Sequence, residues 1–292
     1  MEGVMMRNAD KYAVAVRKTD GEIVVKTEEY KGIVQNKKIR SLPIIRGVFS
    51  FIDSMVLGMS TLTYSASFFM DEEEEEKDEK KESVMMGLTI ACSVVMAVAI
   101  FMILPYFLSQ LFRKFTDSTT LITLLEGAVR LVIFFGYILL ISRMKDIQRV
   151  FMYHGAEHKC INCIEHGMEL NVENVLKSSR LHKRCGTSFL FIVMIVSIIF
   201  FLFIRIESPI WRVVFRLLLI PVIAGVSFEF IRLAGKSENK LVILLSKPGM
   251  MLQKLTTREP DASMAEVAIA SVEAVFDWRA YLKENFGWQE KV

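Results

Sequence analysis

All four histidines of the chain, and three of its four cysteines, fall between Tyr153 and Cys185. Imidazole and thiolate are the commonest ligands for borderline-soft metal ions, so this concentration asks for a metal explanation. His154, Glu157 and His158 stand at i, i+3 and i+4, which in a helix puts two imidazoles and a carboxylate on one face. This is the H-x-x-E-H arrangement of inverted zincins. Two histidines one turn apart can grip one ion, and the glutamate beside them can take a proton from a bound water. His182 and Cys185 form an H-x-x-C pair able to complete a tetrahedral shell. The ligand types suit Zn²⁺, with Fe²⁺, Co²⁺ or Ni²⁺ also compatible. If all four ligands bind, the site is closed and structural; if a position stays open, it can hold a reactive water. Spacing alone leaves both open, and with them the choice between an enzyme and a metal-stabilised fold.

Cys160 and Cys163 form a C-x-x-C pair, but at about 100° per residue they face away from His154 and His158. Two small buried cysteines is the reading preferred here over a second ligand or redox pair. His166 precedes Gly167 and reads as a helix-end residue bonded to terminal carbonyls.

The elements that must carry this cluster are mostly apolar. The chain has 292 residues, 52% of them hydrophobic, and a mean hydropathy of +0.37. That composition excludes an ordinary soluble enzyme and indicates an integral membrane protein. The net charge of +3 gives no reason to expect a nucleic-acid partner. Cysteines crowded among histidines do not form a disulfide framework. The first forty residues are mixed and polar, so no cleavable signal peptide is expected.

In chain order, residues 1–41 contain two β-type runs joined by Thr19-Asp20-Gly21, a hairpin signal. Such a hairpin needs a later element to pack on. Residues 42–70 are apolar but carry Arg46, Asp53 and many hydroxyls, which favours an interfacial or re-entrant helix over a spanning one. Residues 71–83 are an acidic linker. Spans are expected at 84–108 and 121–142, then at 188–204 and 213–233, within transmembrane regions 84–142 and 188–233. Glu126 and Arg130 are one turn apart in the second span and could pair facing inward, and Glu229 could face water or reach the metal region, but packing and snorkelling is the reading preferred here for both. The His/Cys loop occupies 143–187, and 234–292 form a helical tail broken at Pro248-Gly249 and Pro260. The segment up to Arg46 holds ten Lys/Arg and the 143–187 loop eight, against two each in the connections at 113–114 and 205–212. The positive-inside rule therefore puts both termini and the metal loop on the cytoplasmic side of a multi-pass plasma-membrane protein.

The expected fold is thus mainly α. It is a polytopic membrane protein with about four transmembrane helices, an interfacial amphipathic helix, and small cytoplasmic β-hairpin and helical parts.

Several segments together, EGVMMR, LPIIRGV, YHGAEHK, SRLHKRCGTSF and KPGMMLQKLTTREPD, resemble the YqhQ-like family of bacterial membrane proteins. That is a domain-of-unknown-function family described as predicted metal-dependent enzymes. The resemblance covers nearly the whole chain and implies His154, Glu157, His158, His182 and Cys185 as the metal-site candidates. It supplies no substrate. Two functions follow. One is a zinc-dependent, peptidase-like hydrolase with His154, His158, His182 and Cys185 at the metal and Glu157 as general base. The other is a non-catalytic, zinc-stapled scaffold that docks a membrane-protein partner, in membrane-protein biogenesis or quality control. A transport path through Glu126, Arg130 and Glu229 finds no inverted repeat to support it.

Overall fold

The computed structural model describes residues 2–69, 79–204, 206, 208–237 and 239–289; the acidic run expected as a linker lies largely outside them. Three strands, β1 (Gly3–Asn8), β2 (Lys11–Arg17) and β3 (Ile23–Glu29), form an antiparallel meander in the order β1-β2-β3. The expected hairpin is β2-β3, and β1 adds a strand that the short GVMMRN run did not announce. A short helix α1 (Lys37–Ser41) leads to α2 (Ile45–Ser67). Then come α3 (Glu79–Val98), a π-helical turn at Ala99–Ile103, and α4 (Leu104–Gln110). They are followed by α5 (Thr119–Ile141), α6 (Lys145–Glu165), α7 (Val172–Lys177), α8 (Gly186–Phe203) and α9 (Pro209–Ala234). The chain closes with α10 (Lys240–Thr256), α11 (Ala262–Glu273) and α12 (Trp278–Phe286).

Five helical stretches are long and apolar enough to cross a membrane: Ile45–Ser67, Val84–Lys114, Thr119–Ile141, Gly186–Phe203 and Ile210–Ala234. The protein is therefore a multi-pass membrane protein. Packing limits how many of the five cross. Val4, Met6 and Ala15 of the sheet share one core with Ala156 and Cys160 of α6 and with Val267 and Ala268 of α11. Strand β1 and helix α6 must then lie on the same side of the bilayer. Between them stand α2, the α3–α4 rod and α5, and three crossings would separate them. Helix α2 is the one of the three that packs on the sheet. Its Leu57, with Tyr64 and Phe68 beyond it, covers the other face of the sheet at Tyr12, Val14 and Val16. At its start, a Cβ on Gly47 would lie 2.7 Å from Phe228 of α9, and Arg46 pairs with Glu229. Helix α2 is thus held between the sheet and α9.

The tail departs from expectation. Pro248-Gly249 does not break the chain but sits inside α10. Proline there removes one helical bond, while Gly249 lets α10 approach α8: a Cβ at Gly249 would lie 3.1 Å from that of Ser188. The single C-terminal helix expected is two, α11 and α12, separated at residues 274–277. The 143–187 loop is mostly helix, α6 and α7.

Candidate metal centre

Helix α6 carries the H-x-x-E-H run and is pinned from two sides. Lys159 is buried and donates to the carbonyls of Leu176 (2.8 Å) and Ser178 (2.7 Å), with Glu259 2.9 Å away. Asn162 donates to the carbonyls of Ser179 (2.7 Å) and Leu181 (3.0 Å). These bonds draw residues 178–182 across the helix. On the other flank the segment after α10 docks so closely that a Cβ on Gly155 would stand 2.0 Å from the Arg258 carbonyl, and Arg258 N–H donates to the Phe151 carbonyl at 2.8 Å.

The two pinned segments supply one carbonyl each to the histidines. His154 Nδ1 is 2.9 Å from the Thr256 carbonyl, and His158 Nδ1 is 2.7 Å from that of Arg180. A nitrogen facing a carbonyl must carry the proton, so each Nδ1–H donates and each Nε2 is the nitrogen turned to the interior of the site. Cys185 caps the N-terminus of α8, with its Sγ 3.3 Å from His154 Nε2. Ligand atoms of His154, His158 and Cys185 all lie within 4.8 Å of one another. Bonds of about 2.0–2.3 Å to a tetrahedral zinc put donor atoms roughly 3.5 Å apart, so this trio needs only a small contraction to fit.

His182 is placed differently. Its Nε2 faces Glu165 Oε2 at 3.2 Å, and its ring centroid is 5.8 Å from that of His158. Its backbone is gripped at both ends by the fully buried Gln253 of α10, which accepts from His182 N–H (2.8 Å) and donates to the His182 carbonyl (2.8 Å). Glu165 also pairs with Arg184. The geometry thus joins three of the four expected ligands and gives His182 a carboxylate of its own.

Glu157 stands between these histidines. Among the described residues no hydrogen bond or ion pair engages its carboxylate, and with His154 it lines a cavity of about 180 Å³. Burial pushes its carboxyl pKa up, against the pull of His154 and His158. Burial also opposes charge on His154, but the Cys185 sulfur and Glu157 prevail and raise the imidazole to about 9. Cys185 answers: burial raises its thiol, yet the bonds to His154 and His158 win and bring it down to about 5. Both shifts favour a thiolate beside an imidazolium.

Cys160 and Cys163 are fully buried in the core between α6 and α11, and burial pushes both thiols up. His166 ends α6 with its Nδ1 2.7 Å from the Asn162 carbonyl. Glu229 serves Arg46 and lies outside the cluster. Lys159, Asn162 and Gln253, which hold the segments around the site, escaped the sequence reading; a lysine and an asparagine inside an otherwise buried helix face are the signal that marked two of them.

Residues 42–278 match a family described as "Protein of unknown function (DUF1385)". The chain belongs to this family. It is also 35% identical to the "Uncharacterized protein YqhQ" of Bacillus subtilis (strain 168), over 98% of this chain and 93% of that protein. No solved structure matches.

Proposed function

We propose that the protein is a zinc-dependent hydrolase of the membrane surface, its centre formed by His154, His158 and Cys185 with Glu157 as general base. The observation that carries this reading is the convergence of three ligand atoms within 4.8 Å beside a carboxylate with no partner. Three ligands leave a fourth position for water, as catalytic zinc sites do. Zinc, when bound, supplies a water of lowered pKa and polarises a carbonyl or phosphoryl oxygen. The chain's residues do the rest. The carbonyls of Thr256 and Arg180 hold both imidazoles in the ligating tautomer. Burial shifts the Glu157 carboxyl pKa upward, the direction that strengthens it as a base. The excess of Lys/Arg in the N-terminal segment and around α6 supports a cytoplasmic orientation in the cell membrane.

Metal analysis of purified protein tests this. Zinc near one per chain is expected in wild type and in Glu157→Gln, and its loss in His158→Ala. Hydrolysis should fall by about 10²–10⁴ in Glu157→Gln with the metal retained. Function intact in Glu157→Gln would instead make the site a structural staple.

The pH dependence has a definite sign. His154 at about 9 holds an extra proton over the neutral range, and ligation requires its release. Cys185 at about 5 has already lost its proton there. Zinc affinity should therefore rise with pH, about tenfold per unit between roughly pH 6 and 8, in competition titrations with a chelator. An affinity flat across that window would contradict His154 as a ligand.

The pair of Cys185 and His154 favours one second reading, a metal-independent thiolate nucleophile of the cysteine-hydrolase kind. Zinc-free protein with full activity, abolished by Cys185→Ser, would select it.

A further inference from the structure

The β-meander has two edge strands, β1 and β3, and the β1 edge runs past Glu157. Arg17 N–H donates to the Glu2 carbonyl at 2.8 Å, which fixes the alternation of the β1–β2 ladder. With Val4 opposite Ala15 and Met6 opposite Ala13, these are the pairs that exchange hydrogen bonds. The opposite side of β2 agrees: Tyr30 N–H donates to the Asp10 carbonyl at 2.7 Å, so Tyr12, Val14 and Val16 bond to β3. Gly3, Met5 and Arg7 therefore turn their N–H and C=O groups outward, and among the described residues no backbone group answers them. The edge carries no proline and its register with β2 is unbroken, so neither a proline nor a bulge blocks an added strand.

Open space follows this edge. The 180 Å³ cavity touches Gly3 and Met5 on one side and His154 and Glu157 on the other. A second cavity, of about 450 Å³, continues at Arg7 against Ile161 and Glu165 of α6. Residues 154, 157, 161 and 165 recur at helical spacing, so one stripe of α6 faces both cavities. The strand spans about 20 Å and that stripe about 17 Å, so the two sides match in length. A further group lacks a partner here: Ser65 Oγ of α2, a residue 5% exposed, lines the first cavity without a hydrogen bond.

We propose that the open edge of β1 is the substrate edge, where an extended polypeptide segment docks as an added strand and crosses Glu157. This rests on the hydrolase reading above and names its substrate class. A peptide backbone offers the alternating donors and acceptors that Gly3, Met5 and Arg7 require, at strand spacing, and Ser65 can take a further polar group. A lipid headgroup or a small metabolite offers no such repeat.

The test measures binding of a short fluorescein-labelled peptide alternating valine and serine to the full-length protein in detergent, by anisotropy. Met5→Pro removes the outward N–H without breaking a bond to β2, and Met5→Ala removes the side chain alone. Affinity is expected to be about tenfold or more lower in Met5→Pro than in Met5→Ala, which lacks the same side chain but keeps the N–H. On the wild-type protein, a peptide N-methylated at alternate residues in one register should bind about tenfold more weakly than the unmethylated peptide. The methylated peptide needs no mutant to fold. No binding to wild type, or equal affinity of the methylated and unmethylated peptides, would overturn the proposal. Zinc content read on the same samples separates the two claims. Zinc present without peptide binding sinks the substrate edge alone, and peptide binding without zinc sinks the metal reading alone.

Discussion

Replacing Gly155 by alanine is expected to remove zinc from the protein and to cost about 3 kcal/mol of stability. The added Cβ would lie 2.0 Å from the Arg258 carbonyl, with the Arg258 carbonyl carbon at 3.2 Å and its nitrogen at 3.6 Å. All three are backbone atoms, so no side chain can swing away. The segment after α10 must lift instead. Its retreat breaks the 2.8 Å bond from Arg258 N–H to Phe151 and withdraws the Thr256 carbonyl that holds His154. An imidazole without that acceptor loses its fixed tautomer and orientation, which weakens metal sites by about 10–100-fold before any larger disorder is counted. Gly136→Ala gives the internal control. Nothing lies within 4 Å of a Cβ there, and the site is inside α5, so the change should be neutral or stabilising by up to about 1 kcal/mol. Denaturant melts and zinc content of the two variants side by side check both statements. Equal stability and zinc content in the two would show that the linker does not rest on Gly155.

The second large effect lies in the membrane. Glu126 of α5 is 2% exposed and stands between two buried arginines. Arg130 Nη2 donates to Oε1 at 2.9 Å, and Arg216 Nη2 of α9 donates to Oε2 at 2.9 Å. Arg130 spends its other nitrogens on the Phe101 carbonyl (2.9 Å) and Ser197 Oγ (3.1 Å), tying α5 to the π-helical turn and to α8. Both guanidiniums also lie over the Phe201 ring, at 5.0 and 4.6 Å from its centroid. The carboxylate thus joins α5 to α9, and Arg130 extends the network to the α3–α4 rod and α8. Glu126→Leu would leave two desolvated cations facing each other, and removal of one partner from a buried ionic group typically costs about 3–5 kcal/mol. Unfolding in mixed micelles should show a loss of that size, with the metal site's ligands intact in whatever fraction remains folded. A loss under about 1 kcal/mol would mean that the arginines find water or lipid phosphate instead.

Much of this was legible beforehand because it rests on local periodicity. The shared turn of Glu126 and Arg130, the place of His166 at a helix end and the common face of His154 and His158 all follow from 3.6 residues per turn. That Glu126 and Arg130 turn inward and are buried, where the sequence alone favours snorkelling, is decided by the packing of the helices around them. What escaped depends on partners distant in sequence. Arg216 joins Glu126 from ninety residues away; a charge inside an apolar span asks for a partner, but which partner depends on the fold. His182 was assigned to the metal because H-x-x-C spacing suits a ligand pair, but the loop is set by Gln253 and Asn162, which turn the ring toward Glu165. Helix α10 was hidden by Pro248-Gly249, whose punctuation is overridden when the glycine serves as a contact point against Ser188. Strand β1 was missed because GVMMRN lacks β-branched alternation and gains its place from β2 and from the core it shares with α6 and α11.

The central claim is that His154, His158 and Cys185 hold a zinc ion with one position left for water. The most direct measurement is the zinc X-ray absorption spectrum of the purified wild-type protein. The expected shell has one sulfur at about 2.3 Å and three nitrogen or oxygen neighbours at about 2.0–2.1 Å, two of them imidazole, with the third exchangeable by an added anion. In Cys185→Ser the sulfur should vanish, while in His182→Ala the spectrum should not change. Protein without zinc, a shell without sulfur, or a spectrum altered by His182→Ala would contradict it.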